Sequence, residues 1–143
     1  MLVWILYQKN VTTKYILHLL DPIKGIDNLK FFYSQFLDKN HLFRSKGCLM
    51  IITANEAPQH GDVINLKLTS FTKQLKQMIY DNLVINQSKD KRCQLASMLV
   101  AQTFGLLVLM RCQRIDDIIE QQIYGILQVL NNFNNKEDEY EQA

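Results

Sequence analysis

The sequence predicts an all-α fold, and three observations carry that expectation. First, Leu95 to Met110 reads LASMLVAQTFGLLVLM and is apolar at nearly every position. A helix that is apolar all round must be covered on more than one side. Second, Ile115, Ile118, Ile119, Ile123, Ile126, Leu127, Leu130 and Phe133 recur at the spacing of a single helical face. Third, no run alternates apolar and polar residues between turn signals, as a half-buried strand requires. A chain of 143 residues has the length of one domain, and its 48% apolar and 21% charged residues are ordinary for a soluble protein.

Six helices follow in order. Residues 2–20 read as the first, with Leu2, Val3, Leu6, Ile16, Leu17 and Leu20 apolar. Asp21-Pro22 restarts the chain, since aspartate caps well and proline at the first helical position needs no N–H partner. The second helix covers 22–40 with Ile26, Leu29, Phe32, Phe36 and Leu37 inward. After a polar link ending at Gly47, a short helix runs from Cys48 to Ala57 and is stopped by Pro58. Asp62 caps a long helix to about Gln87, with Val63, Ile64, Leu68, Phe71, Leu75, Met78, Ile79, Leu83 and Val84 inward. Ser88 or Asp90 caps the fifth helix, 89–113, and 115–133 forms the sixth. Residues 1–133 therefore make one domain, and the polar, acidic tail 134–143 frays into solvent.

A net charge of +2, with scattered basic residues, gives no footprint for nucleic acid or an anionic membrane. Cys48, Cys93 and Cys112 show no CxxC spacing, which fits packed thiols in a reducing compartment, and the expected location is cytoplasmic. MLVWILY lacks the basic lead of a signal peptide. The 95–110 run is short for a membrane span and carries Ser97, Gln102 and Thr103.

Ser97, Ala101 and Gly105 fall four apart and form one line of small residues where another backbone can come close. With the stripe at Ile119, Ile123, Ile126 and Leu130, they are the expected homodimer interface. Two helices make half of a four-helix bundle, and a two-fold copy completes it.

The run Gly47-Cys48-Leu49-Met50-Ile51-Ile52-Thr53-Ala54-Asn55-Glu56 resembles the short Gly-Cys-Leu helix in the C-terminal domain of TetR-family transcriptional regulators. A proline-containing break and a long helix follow, as they do in that family. Ala96…Phe104-Gly105-Leu106 is similar to its penultimate helix, and 115–133 to its last. Ile52 and Asn55 depart from the pattern of many relatives, and nothing before Leu2 supplies the family's helix-turn-helix head. The resemblance implies a regulatory domain that binds a small, largely apolar effector and pairs through its last two helices. It would reach DNA only through a head that this chain does not contain.

The expected cavity lining is Trp4, Tyr7, Phe32, Phe36, Met50, Thr53, Phe71, Met78, Gln102 and Phe104. Methionines and aromatics suit an adaptable apolar cavity, and Thr53 and Gln102 can orient a ligand. The same residues at helical spacing also read as plain core. His18, His41 and His60 lie on different elements and do not converge as zinc ligands do. Asp116, Asp117 and Glu120 suit the positive end of the last helix. No phosphate loop, nucleophile elbow or metal motif is present, so neither a cofactor nor an enzymatic activity is expected. The rival reading is a helical interaction module without a ligand, able to capture relatives in inactive mixed dimers.

Overall fold

The computed structural model describes residues 25–41, 44, 62–84, 86–112 and 114–141. Among them are four α-helices and no strand. These are α1 (Gly25–Ser34), continued by a 3₁₀ turn (Gln35–Leu37), then α2 (Asp62–Asn82), α3 (Lys89–Leu109) and α4 (Asp116–Glu141). The all-helical expectation holds for these residues. The helix expected over 2–20 and the short one from Cys48 to Ala57 lie outside them.

Each boundary has a local cause. α1 opens at Gly25, whose φ of +54° is one that glycine takes without steric cost. The helical path ends before Asp38, which is extended at φ −73° and ψ 113°. Its Oδ1 accepts the Asn40 backbone N–H at 2.9 Å, an aspartate turn that competes with further helix. α2 stops at Asn82, short of the expected Gln87. There the Asn82 side-chain amide donates to the Met78 carbonyl at 2.9 Å, and the Leu83 N–H reaches back to Ile79 and Tyr80. Arg92 seals that end. Its Nε and Nη2 both donate to the Tyr80 carbonyl, at 3.0 and 2.7 Å, and its guanidinium lies 4.1 Å over the Tyr80 ring. A cation on the last carbonyls of a helix sits where the helix dipole favours it.

Of the two caps considered for α3, Ser88 takes the role, its Oγ accepting the Lys91 N–H at 3.3 Å. α4 opens on Asp116 and Asp117 and stays helical to Glu141, beyond the Phe133 at which the sequence pattern ends.

α1 packs on α2 and α4, and α3 packs on the same two, so the four helices form a ring of neighbours. The short links 83–88 and 110–115 make α2/α3 and α3/α4 antiparallel pairs. The core is filled by Leu29, Tyr33 and Phe36, by Leu75, Met78 and Ile79, by Leu99 and Leu106, and by Ile119, Ile123, Ile126 and Leu130. Burying each such side chain stabilises the fold by about 1.5–3 kcal/mol. Val84, expected inward, is exposed instead, because α2 has already ended before it.

Arg114 is left-handed, at φ +64°, in the link between α3 and α4. An L-residue there costs about 1–2 kcal/mol, and the extra chain entropy of glycine offsets about half of that gain. Arg114→Gly is therefore expected to raise the unfolding free energy by roughly 0.5–1 kcal/mol, read from the urea midpoint. A lowered midpoint would mean the arginine side chain contributes more than its backbone costs.

Candidate functional site

The structure divides the expected dimer interface in two. Ile119, Ile123, Ile126 and Leu130 are at most 2% exposed within a single chain. α4 packs chiefly against α1, and these four side chains join the core shared with it. They have no area left for a partner to cover, so their expected interface role is corrected to protomer core. The physical reason is α1, which fills the space that the sequence pattern assigned to a second copy.

Ser97 and Ala101, by contrast, are exposed, and Gly105 is half-buried. A Cβ at Gly105 would meet only Gln122 Nε2, at 3.8 Å, and one at Gly125 would meet nothing within 4 Å. The seam beneath is stitched by Gln122, whose amide donates to the Gln102 carbonyl at 3.2 Å. Four large apolar side chains on these two helices are exposed: Met98 at 42%, Val108 at 39%, Ile118 at 48% and Tyr124 at 57%. No charged residue occurs from Cys93 to Met110 or from Gln121 to Asn135. The outer face of α3 and the middle of α4 is thus open, small or apolar, and uncharged. Depletion of charge marks the centre of protein interfaces, whereas a solvent face normally mixes both signs.

The expected cavity residues that fall in the described helices do not form one wall. Phe32, Phe36 and Met78 are core, with Phe32 edge-on to Tyr33 and Phe36 at ring distances of 5.2 and 5.3 Å. Phe71 and Phe104 do come together, stacked at 6.3 Å and 15° between α2 and α3, and both keep part of their surface open. Gln102 belongs to the α3–α4 seam. Trp4, Tyr7, Met50 and Thr53 lie outside the described residues. Among the described residues, no three His, Cys, Asp or Glu side chains cluster as metal ligands would.

Three polar devices escaped the sequence reading. Asn28 Nδ2 donates to Asn82 Oδ1 at 3.1 Å, both buried, joining α1 to α2. The Tyr33 hydroxyl meets Thr103 Oγ1 at 2.9 Å, reaching from α1 to α3. Thr103 carries one hydroxyl proton and gives it to the Leu99 carbonyl at 2.6 Å, so Tyr33 must be the donor. Arg44 donates from Nη1 to the Phe36 carbonyl at 2.7 Å and from Nη2 to Asp116, tying the end of the 3₁₀ turn to the start of α4. Asp116 therefore has a partner as well as its place at the helix dipole. Beside this clasp, burial pushes the His41 imidazole below its ordinary range. Asp38 opposes that shift and Arg44 adds to it. The signal that could have found the asparagines is positional. Asn28 precedes Phe32 by one turn and Asn82 follows Met78 by one turn, so both stand inside apolar arcs.

These polar pairs close on one another. They fix how α1 seats in the bundle and present no converging acid–base or nucleophilic groups.

Comparison with known proteins adds no relative: no protein-family model, curated protein or solved structure matches the chain.

Burial pushes the Tyr33 phenol up to about 12, with the Thr103 hydroxyl opposing part of that shift. The folded state then keeps its proton while the unfolded chain loses it from pH 10 upward, so this contribution is whole below pH 10 and falls as pH rises toward 12. About 2 kcal/mol of stability should be gone by pH 12. Urea unfolding between pH 9 and 12 tests this, and Tyr33→Phe should flatten that part of the curve. An unchanged slope in the variant would show that the phenol is not seated as described.

Proposed function

We propose that the chain is a helical homodimerisation module that pairs through the outer face of α3 and α4. The observation that carries the reading is the uncharged surface around Ala101, Gly105 and Gly125, flanked by exposed Met98, Val108 and Ile118. Its length is about 30 Å, that of a 21-residue helix. Two helix widths of roughly 10 Å each give about 600 Å², near the ~800 Å² per partner of a standard interface. In this reading the pairing residues are Ser97, Ala101 and Gly105, as the sequence suggested, joined by Met98, Val108 and Ile118 in place of the isoleucine stripe.

A wider reading makes the module the regulatory domain of a TetR-like transcriptional regulator. It is a six-helix, cytoplasmic domain that binds an apolar effector and controls a separate DNA-binding head. The Gly47–Glu56 resemblance supports it, as does the Phe71–Phe104 stack, whose two rings stay partly open between α2 and α3. The relocation of the isoleucine stripe into the protomer weighs against it, because the resemblance implied that this stripe pairs the subunits.

Two substitutions separate pairing from folding. Gly105→Arg has room within the protomer and gains helix propensity of about 1 kcal/mol, so it should give a folded monomer with unchanged helical circular dichroism and half the light-scattering mass. Ile123→Glu places a charge in a sealed core and should cost about 4 kcal/mol or more, abolishing the fold. A folded Ile123→Glu monomer together with a dimeric Gly105→Arg would reverse the assignment of the two faces.

For the wider reading, a panel of apolar small molecules should contain one that raises the melting temperature, and Phe104→Ala should cancel that shift. A shift that survives Phe104→Ala would place the ligand elsewhere.

A further inference from the structure

His41 sits at the corner where the exit of the 3₁₀ turn meets the start of α4. Its backbone N–H donates to the Asp38 carbonyl at 3.0 Å, and its ring stands edge-on to Phe36 with 4.9 Å between centroids. The carbonyl of that same Phe36 accepts Arg44 Nη1, and Arg44 Nη2 goes on to Asp116. The imidazole and the guanidinium thus rest on one residue, the first on its ring and the second on its carbonyl. Both are buried. His41 is 9% exposed and the Arg44 side chain 3%, whereas Asp38 is exposed and the Asp116 side chain is 56% exposed. The corner holds the Arg44 cation out of water while both carboxylates stand at its rim.

A proton on His41 would add a second cation beside the first. Among the described residues, the charged groups acting on the ring are Asp38 from its own link, which favours the proton, and Arg44, which opposes it. Asp116, the acid that α4 brings to the corner, is already bonded to Arg44. A neutral imidazole suits a seat against Phe36, but an imidazolium needs water. The way to water is outward along the link, where Asp38, Lys39 and Asn40 are all exposed. Once the ring leaves, water reaches the guanidinium, and a hydrated arginine–aspartate pair contributes little.

We propose that this corner is a proton-operated latch: neutral His41 keeps the Arg44 clasp shut, and protonated His41 swings out and releases the 3₁₀ turn from the start of α4. The latch works within one protomer and needs no second copy. Its direction follows from the burial, which holds His41 below its ordinary 6.5, with Asp38 opposing that shift and Arg44 adding to it. The open corner takes the proton more readily than the closed one, so the closed form is favoured in full above pH 6.5 and loses ground as pH falls below it.

Nitrogen-15 NMR on the full-length chain between pH 7.5 and 5 tests the latch, reading the Arg44 guanidinium N–H signals, assigned by their absence from Arg44→Lys. The latch predicts that these signals vanish on acidification with the same midpoint as the His41 ring titration. In His41→Phe, which keeps a ring against Phe36 but cannot be charged, they should persist across the range. Acid by itself slows the exchange of guanidinium protons and sharpens their signals, so a loss reports an opened corner. Arg44 signals that survive while His41 titrates would show that the ring takes its proton in place, and would overturn the latch. Loss at the same pH in both the natural chain and His41→Phe would overturn it too, by assigning the opening to another group. Should His41→Phe fail to fold, His41→Gln serves as the neutral variant, and the agreement of the two midpoints in the natural chain decides on its own.

Discussion

The structure turns on where α1 sits. Its buried face, Ile26, Leu29, Phe32 and Tyr33 with Phe36 just beyond, covers the isoleucine stripe of α4 inside one protomer. Four apolar side chains on α4 would otherwise need an outside partner, and burying them is worth several kcal/mol in total. Apolar packing alone does not set the seat, because it fixes neither rotation nor height. The Asn28–Asn82 and Tyr33–Thr103 bonds do that, each satisfying two buried polar side chains that would be expensive to leave unpaired. The Arg44 clasp then holds the exit of the 3₁₀ turn against the first residue of α4.

With α1 in place, the four described helices close a ring, and among the described residues the outer face of α3 and the adjoining part of α4 stay open and uncharged. That face lies on the same two helices that the sequence pattern marked for pairing, on the small-residue side of α3 that it named but away from the isoleucine stripe of α4. The chain thus separates two jobs that share α3 and α4. Their inner sides, Leu99, Leu106, Ile119 and Ile123, hold the protomer together. Their outer sides, with Ala101, Gly105, Met98 and Ile118, stay open, and in the proposed reading a second copy covers them. α3 by length and composition could also cross a membrane, but its buried side faces α2 and α4 and the amides of α4 border its open one.

Much of the helix inventory was readable beforehand. The stripes of α1 and α2 at Ile26, Leu29, Phe32, Phe36, Leu75, Met78, Ile79 and Leu83 all face inward, because amphipathic spacing exposes a single solution. α3 was harder for the reverse reason: apolar on every side, it carries no sign of which arc is covered. α4 has a clear stripe, but periodicity says only that a stripe is buried and not what buries it, and α1 was no better a candidate on paper than a second copy. The polar pairs were hidden by distance, Tyr33 and Thr103 lying 70 residues apart. Helix ends shifted where side chains compete with the backbone, as Asp38 and Asn82 do. Of the candidate site, the small-residue line read from spacing lies exposed or half-buried on α3, and the Phe71–Phe104 contact was half-legible. The remaining cavity candidates in the described helices turned out to be ordinary core or seam.

The central claim is that the inner stripe is sealed within the protomer while the outer face is what association covers. Methyl NMR with a soluble paramagnetic probe, followed over a dilution series, reads both faces in one sample. The account predicts that the Ile119, Ile123 and Ile126 methyls stay shielded at every concentration, while those of Met98, Val108 and Ile118 become shielded only as the protein is concentrated. Isoleucine methyls at 119, 123 and 126 that open on dilution, with Met98 and Val108 unchanged, would contradict it.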